Sequence, residues 1–163
     1  MPNPDRDLKL RSYCEAADEL VSVLHEFPRE MWHFKPAPER WSIHQVLVHL
    51  ADAEVSAYFR CRMIVAEPGA AVSVWDQDRW ASGLRYEEQN VEDALALFRL
   101  LRRMNYELLR TVPETAWSQA MQHPERGKVT LTQFLDTYER HTPKHIEQMR
   151  HNLDAWRKTT SRP

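Results

Sequence analysis

His141 and His145 stand four residues apart, a spacing that puts two imidazoles on one face of an α-helix, about 5–6 Å apart at Cβ. Such a pair can serve one divalent ion. At roughly 100° per residue, both fall at the edge of their helix's apolar stripe, where a bundle helix meets its neighbour. The same count puts His49 on the flank of an earlier helix. Three imidazoles from two facing helices would form a three-ligand site with a coordination position left for water or substrate. Taken alone, however, an H-x-x-x-H pair is better explained by two partly buried imidazoles bonded to carboxylates or backbone. The residues between the pair are Thr142, Pro143 and Lys144, so there is no H-E-x-x-H helix of the zincin type. His25, His33, His123 and His151 have no interpretable partner spacing. His44, at the start of a helix, can at most stand behind a ligand.

The side chains around these histidines suggest further chemistry. Glu54 falls within an apolar stripe, and a buried carboxylate is costly unless paired. It is therefore either a catalytic or ligand-orienting group or the partner of an arginine such as Arg60 or Arg62. Asp52 points further out and is expected in solvent. Tyr138, one turn before His141, is a candidate donor to substrate, with core packing as the alternative. Gln148, one turn after His145, can line the same site. Cys14 and Cys61 lie off the histidine face and read as reduced core thiols.

Four helices must position these groups. The prolines divide the chain into segments that each hold one long helical pattern. The expected helices cover approximately 5–27, 42–67, 90–112 and 130–157. In the first, Leu10, Tyr13, Ala17, Leu20, Leu24 and Phe27 share a face. Ser42 with Gln45 makes a capping box for the second, whose stripe is Val46, Leu50, Ala53, Ala57, Cys61 and Ile64. Asn90 caps the third, with Ala94, Leu97, Leu101, Met104 and Leu108 as its stripe. Thr130 with Gln133 opens the fourth, which carries Leu131, Leu135, Tyr138, Ile146, Met149, Leu153 and Trp156. Pro143 removes one backbone bond and is expected to kink this helix near Glu139 while leaving it continuous. A break with Thr142 as a fresh N-cap would spoil the shared histidine face. Two long connections remain, 27–41 and 68–90. Their aromatics, including Trp75, Trp80 and Tyr86, either cap the bundle ends or serve function.

Composition agrees with an all-α, four-helix-bundle domain spanning 1–163. Only 3 of 163 residues are Gly, too few for the turns of a sandwich or barrel. With 22 Lys+Arg against 24 Asp+Glu, no bulk field attracts nucleic acid. The longest uncharged stretch, Trp41 to Ala51, is too short to span a bilayer. The N-terminal sequence lacks the apolar core of a secretory signal, and two cysteines make no disulfide framework. A cytoplasmic protein with neither nucleic-acid nor membrane partners is expected.

The run Trp41-Ser42-Ile43-His44-Gln45-Val46-Leu47-Val48-His49-Leu50-Ala51-Asp52-Ala53-Glu54 resembles the second-helix signature of the DinB/YfiT-like superfamily. Tyr138 to Met149 resembles its fourth helix, and Trp75-Asp76-Gln77-Asp78-Arg79-Trp80-Ala81 is similar to a loop of the YfiT-like branch. The resemblance spans nearly the whole chain in the right order. It implies an up-down-down-up four-helix bundle and a divalent metal ion on His49, His141 and His145. It also implies a homodimer and an enzyme acting on a small-molecule substrate. Members of the superfamily include transferases and isomerases that use a low-molecular-weight thiol, and proteins described as metal-dependent hydrolases. Three reactivities therefore stand open. They are thiol S-transfer to a small electrophile, hydrolysis of a small amide or ester, and a non-catalytic bundle whose histidines serve stability or incidental binding. Imidazole donors suit zinc, nickel, copper or iron, with zinc the most available.

Overall fold

Helix caps and prolines set the element boundaries in the computed structural model, which describes residues 3–161. Asn3 accepts the Arg6 N–H at 3.2 Å and opens α1, Pro4–Val23, with Pro4 in its first turn. A short 3₁₀ turn, Leu24–Glu26, follows, because Phe27 precedes Pro28 and takes an extended conformation. The first helix is thus shorter than expected, although Phe27 is still buried. The Ser42–Gln45 capping box forms in both directions and starts α2, Ile43–Ala66. Gly69, at φ 92°, turns the chain after Pro68. Asn90 accepts from the Glu92 and Asp93 N–H groups and starts α4, Val91–Leu109. Thr130 and Gln133 box the start of α5, Leu131–Glu139.

Cross-helix pairs fix the directions. Asp18 meets Arg99 at 2.9 Å, and Asn105 donates to the Tyr13 hydroxyl at 3.2 Å, so α1 and α4 are antiparallel. Glu54 meets Arg102, and Arg62 donates to Asn105 at 2.7 Å, so α2 and α4 run the same way. Lys9 with Asp136, Ser12 with Glu139, and Glu26 with Arg150 align the last helical segment with α1. The result is an up-down-down-up four-helix bundle. Among the described residues, no helix is long and apolar enough to cross a membrane.

Three sequence expectations need correction. The fourth helix is broken, not merely kinked: α5 ends at Glu139 and α6, His141–Thr160, begins after Arg140. Arg140 keeps an αR backbone, so the direction of the chain is nearly preserved. Thr142 does not cap α6; its hydroxyl accepts from Arg102. In α4 the buried stripe is Val91, Ala94, Leu95, Phe98, Arg102, Asn105 and Leu109, while Leu97 and Met104 are exposed. Counting only apolar residues slid the stripe sideways, because two buried positions are polar. Finally, small elements appear in the connection 68–90 and in the stretch before Thr130, where none was expected. Asp76 caps the short helix α3, Gln77–Gly83. A hairpin of β1, Ala120–His123, and β2, Gly127–Thr130, pairs antiparallel and buries Met121 and Val129. Gly127, at φ 66°, closes its turn.

The apolar interior forms two clusters. One contains Leu20, Phe27, Leu47, Leu50, Phe98, Ile146 and Met149. The other contains Leu10, Ala57, Ile64, Leu109, Met121, Phe134 and Leu135. Along α2, α4 and α6 the switch between clusters falls at Glu54, Arg102 and Thr142, all buried. A polar layer therefore crosses the bundle at mid-height.

Candidate metal centre

His49 comes from the second turn of α2, and His141 and His145 come from the first two turns of α6. His141 Nε2 lies 3.4 Å from His49 Nε2 and 3.2 Å from His145 Nε2. One ligand atom from each of the three falls within 4.8 Å of the others. Nitrogens held tetrahedrally about 2.0–2.1 Å from one ion stand roughly 3.3–3.4 Å apart, so the spacing suits a shared cation. The break at Arg140 leaves both α6 histidines on one face, because α6 includes both of them.

Protonation also fits. Gln148 Oε1 lies 2.8 Å from His145 Nδ1, and an amide oxygen can only accept there. His145 therefore carries its proton on Nδ1 and turns a lone pair on Nε2 toward the cluster. Burial, with His145 nearby, lowers His49 from 6.5 to about 3. Burial, followed by His145, His49, Arg102 and Lys144, lowers His141 to about 2. Burial also lowers His145, although Gln148 opposes the shift. Three neutral imidazoles with converging lone pairs repel one another unless a cation sits between them. His49 Nδ1 is buried with no hydrogen-bond partner among the described residues, another sign that this ring is placed for its Nε2. The donor set fits a divalent ion with room for a further ligand.

Aromatic residues from the connections wall the centre. The Trp41 ring lies 4.7 Å from His49, Trp75 lies 5.7 Å from it, and Trp80 packs tilted against Trp75 at 4.6 Å. A cleft of about 610 Å³ opens beside His141 and His145, lined also by Trp41, Gln77, Lys144 and Gln148. The rest of its lining is mostly charged: Glu39, Arg40, Asp78, Glu147 and His151.

The other residues singled out by sequence are placed differently. Glu54 is buried but pairs with Arg102 at 3.3 Å, not with Arg60 or Arg62. It also accepts from the Tyr13 hydroxyl and, at 3.5 Å, from Asn105. Burial and the Glu54 charge raise Tyr13 well above its usual value, so the phenol stays protonated and donates. Arg60 instead donates to the Tyr138 hydroxyl at 3.3 Å and the Ser73 carbonyl at 2.8 Å. Tyr138 packs on Phe134, with its ring 6.2 Å from that of His141. Asp52 is half-buried rather than solvated, because the buried Tyr86 hydroxyl donates to it at 2.6 Å. Gln148 does reach the site, through His145. His44 bonds the Gln89 carbonyl and stacks on His33, outside the centre. Cys61 is buried and Cys14 partly so, with no place in the centre. Sequence reading missed Arg102 and Asn105. Their signal was two polar residues inside an otherwise regular 95, 98, 102, 105, 109 spacing.

Comparisons with known proteins bear on the family and the fold. The model of the DinB superfamily matches residues 13–149. A protein of Bacillus subtilis named "Putative metal-dependent hydrolase YfiT" is 26% identical over 147 residues, covering 81% of each chain. A similarly named Oceanobacillus iheyensis protein is 28% identical over 106 residues, covering 65% of this chain and 61% of its own length. The chain thus spans less than two thirds of that relative. The solved structure of YfiT matches 98% of this chain and 90% of its own, with a TM-score of 0.85 at 22% identity. It is described as a probable metal-dependent hydrolase with an unusual four-helix bundle topology.

Proposed function

The chain belongs to the DinB superfamily, and from that premise we propose that it is a divalent-metal-dependent enzyme transferring a low-molecular-weight thiol to a small electrophile. His49, His141 and His145 would hold the ion through Nε2, with zinc as the expected occupant and nickel or another transition metal as alternatives. An ion on three neutral imidazoles keeps its full double charge and strongly acidifies a nucleophile beside it. Gln148 keeps His145 in the ligating tautomer, and Trp41 and Trp75 keep water away from one side of the centre. The cleft would seat the electrophile.

The observation that carries the thiol reading concerns proton transfer. No carboxylate hydrogen-bonds to any of the three histidines among the described residues, and Glu54 is held by Arg102, Tyr13 and Asn105. Beside the ion both a thiol, with an ordinary pKa of about 8.5, and a water would ionise. Cleaving an amide or an unactivated ester also requires a group that protonates the leaving atom, a demand that thiol transfer does not share. In this reading Glu54 and Tyr138 support the fold and do not touch substrate. Hydrolysis of a small amide or ester is the second reading, favoured by the relatives' names and by Glu39, Asp78 and Glu147 in the cleft. Metal-loaded protein incubated with monochlorobimane and a panel of thiols is expected to show conjugation that chelation abolishes. Ester turnover without thiol, lost in His145→Ala, would move the conclusion to hydrolysis.

We also propose a homodimer through the outer face of α2 and α4, where Val55, Phe59, Leu97, Leu100 and Met104 are exposed. Sedimentation should then show a dimer for the native chain and a monomer for Phe59→Glu.

A further inference from the structure

We propose that Arg102 is a positioning residue for the three-histidine centre, clamping both sides of the α5–α6 break and so fixing His141 relative to His49. The inference rests on the metal-site reading above. Pro143 has no N–H, so the carbonyl four residues earlier, at Glu139, has no helical partner. A helix interrupted in this way needs outside donors to hold a single geometry. Arg102 does not reach that carbonyl but bridges the break itself: Nη2 donates to the Tyr138 carbonyl at 2.7 Å, before the break, and Nη1 to Thr142 Oγ1 at 2.8 Å, after it. His141 lies between these two anchors in sequence.

The guanidinium is itself held rigidly. It is fully buried, 4.2 Å from the Tyr13 ring and 5.0 Å from that of Phe98, and its Nε donates to Glu54 at 3.3 Å. Glu54 sits on α2, the helix that carries His49. A single rigid plane thus ties the helix bearing one ligand to the break beside the other two. Buried ion pairs contribute little net stability compared with apolar packing, so stability alone does not account for a charge at this level of the bundle. The planar fork does account for it, since its geometry can serve an acceptor on each side of the break, and a lysine's point charge cannot.

Co²⁺ titration of the metal-free full-length protein tests the proposal. Arg102→Lys and Thr142→Val should keep native circular dichroism but bind Co²⁺ roughly tenfold to a hundredfold more weakly, with altered visible absorption. Leu20→Ala, in the core away from the break, should lower the melting temperature without changing either the affinity or the spectrum. Native affinity and spectrum in both Arg102→Lys and Thr142→Val would overturn the proposal, whatever their melting temperatures. If Arg102→Lys does not fold, Thr142→Val alone decides. A native chain that takes up no Co²⁺ would overturn the metal reading first and this inference with it, and that result is visible before any variant is made.

Discussion

The bundle carries two polar groupings near mid-height, and they are completed in different ways. In the layer of Glu54, Arg102, Asn105, Tyr13 and Thr142, each side chain has a protein partner. In the histidine centre, three Nε2 atoms face one another, and His49 Nδ1 is buried without a partner among the described residues. Burial disfavours charge in both regions. The layer answers with an opposite charge from the chain itself, and the centre answers by staying neutral. A saturated polar cluster holds a shape, while an unsaturated one is built to receive something. The sharpest way to break this contrast is to remove one imidazole. His141→Ala should abolish stoichiometric binding of Zn²⁺ or Co²⁺, since His141 Nε2 approaches both other ligands, while leaving the helical circular dichroism unchanged. Undiminished binding in that variant would place the metal elsewhere.

Acid separates the two regions next. His49 and His141 are lowered from 6.5 to about 3 and about 2, chiefly by burial. The unfolded chain therefore binds these protons first. Their contribution to stability is complete above about pH 6.5 and is lost as pH falls toward 3, by up to roughly 1.4 kcal/mol per unit for each histidine. Denaturant titrations of the metal-free protein between pH 7 and 4 should show this decline. His49→Phe should reduce the slope by up to roughly 1.4 kcal/mol per unit while leaving the part due to His141, and an unchanged slope in that variant would assign the loss to other groups.

The saturated layer should respond differently to one and to two substitutions. Arg102→Met leaves a buried carboxylate unpaired and should cost about 3–5 kcal/mol. Adding Glu54→Leu should recover most of that stability, as apolar replacement of a whole buried pair often does. Stability would return in the double variant, but tight metal binding would not, because nothing would then bridge the helix break. Recovery of both would make the layer a scaffold alone.

Much of this could be read from the sequence, and the failures have identifiable causes. The capping boxes at Ser42 and Thr130 and the cap at Asn90 are local hydrogen-bond patterns, so these three helix starts lay within a residue of expectation. The pairing of His141 with His145 follows from helical spacing, and His49 joins them because α2 and α6 bury adjoining stripes. The break at Arg140 was expected only as a kink, since the donors that stabilise an open break come from α4, forty residues away in the chain for Arg102 and Thr142. The same long-range contact explains the misplaced α4 stripe. Arg102 belongs inside only because Glu54, Tyr138 and Thr142 surround it. Asp52 was expected in solvent because its partner, Tyr86, arrives from a connection with no periodicity to read. The hairpin at 120–130 was missed for a related reason: strands of four residues leave little alternation to detect.

Gln148 gives the smallest effect and the finest distinction. It is the one protein partner of His145 Nδ1 among the described hydrogen bonds, at 2.8 Å. Its amide oxygen fixes the tautomer without adding charge, which separates this centre from sites where a carboxylate takes the same role. Gln148→Leu should remove that orientation while keeping all three ligands, weakening Zn²⁺ affinity roughly tenfold to a hundredfold. Gln148→Glu should restore or exceed native affinity, since a carboxylate accepts the same N–H and makes the imidazole a stronger donor. Competition with a chromophoric chelator measures both. If Gln148→Leu bound as tightly as the native chain, packing rather than the amide would be orienting His145.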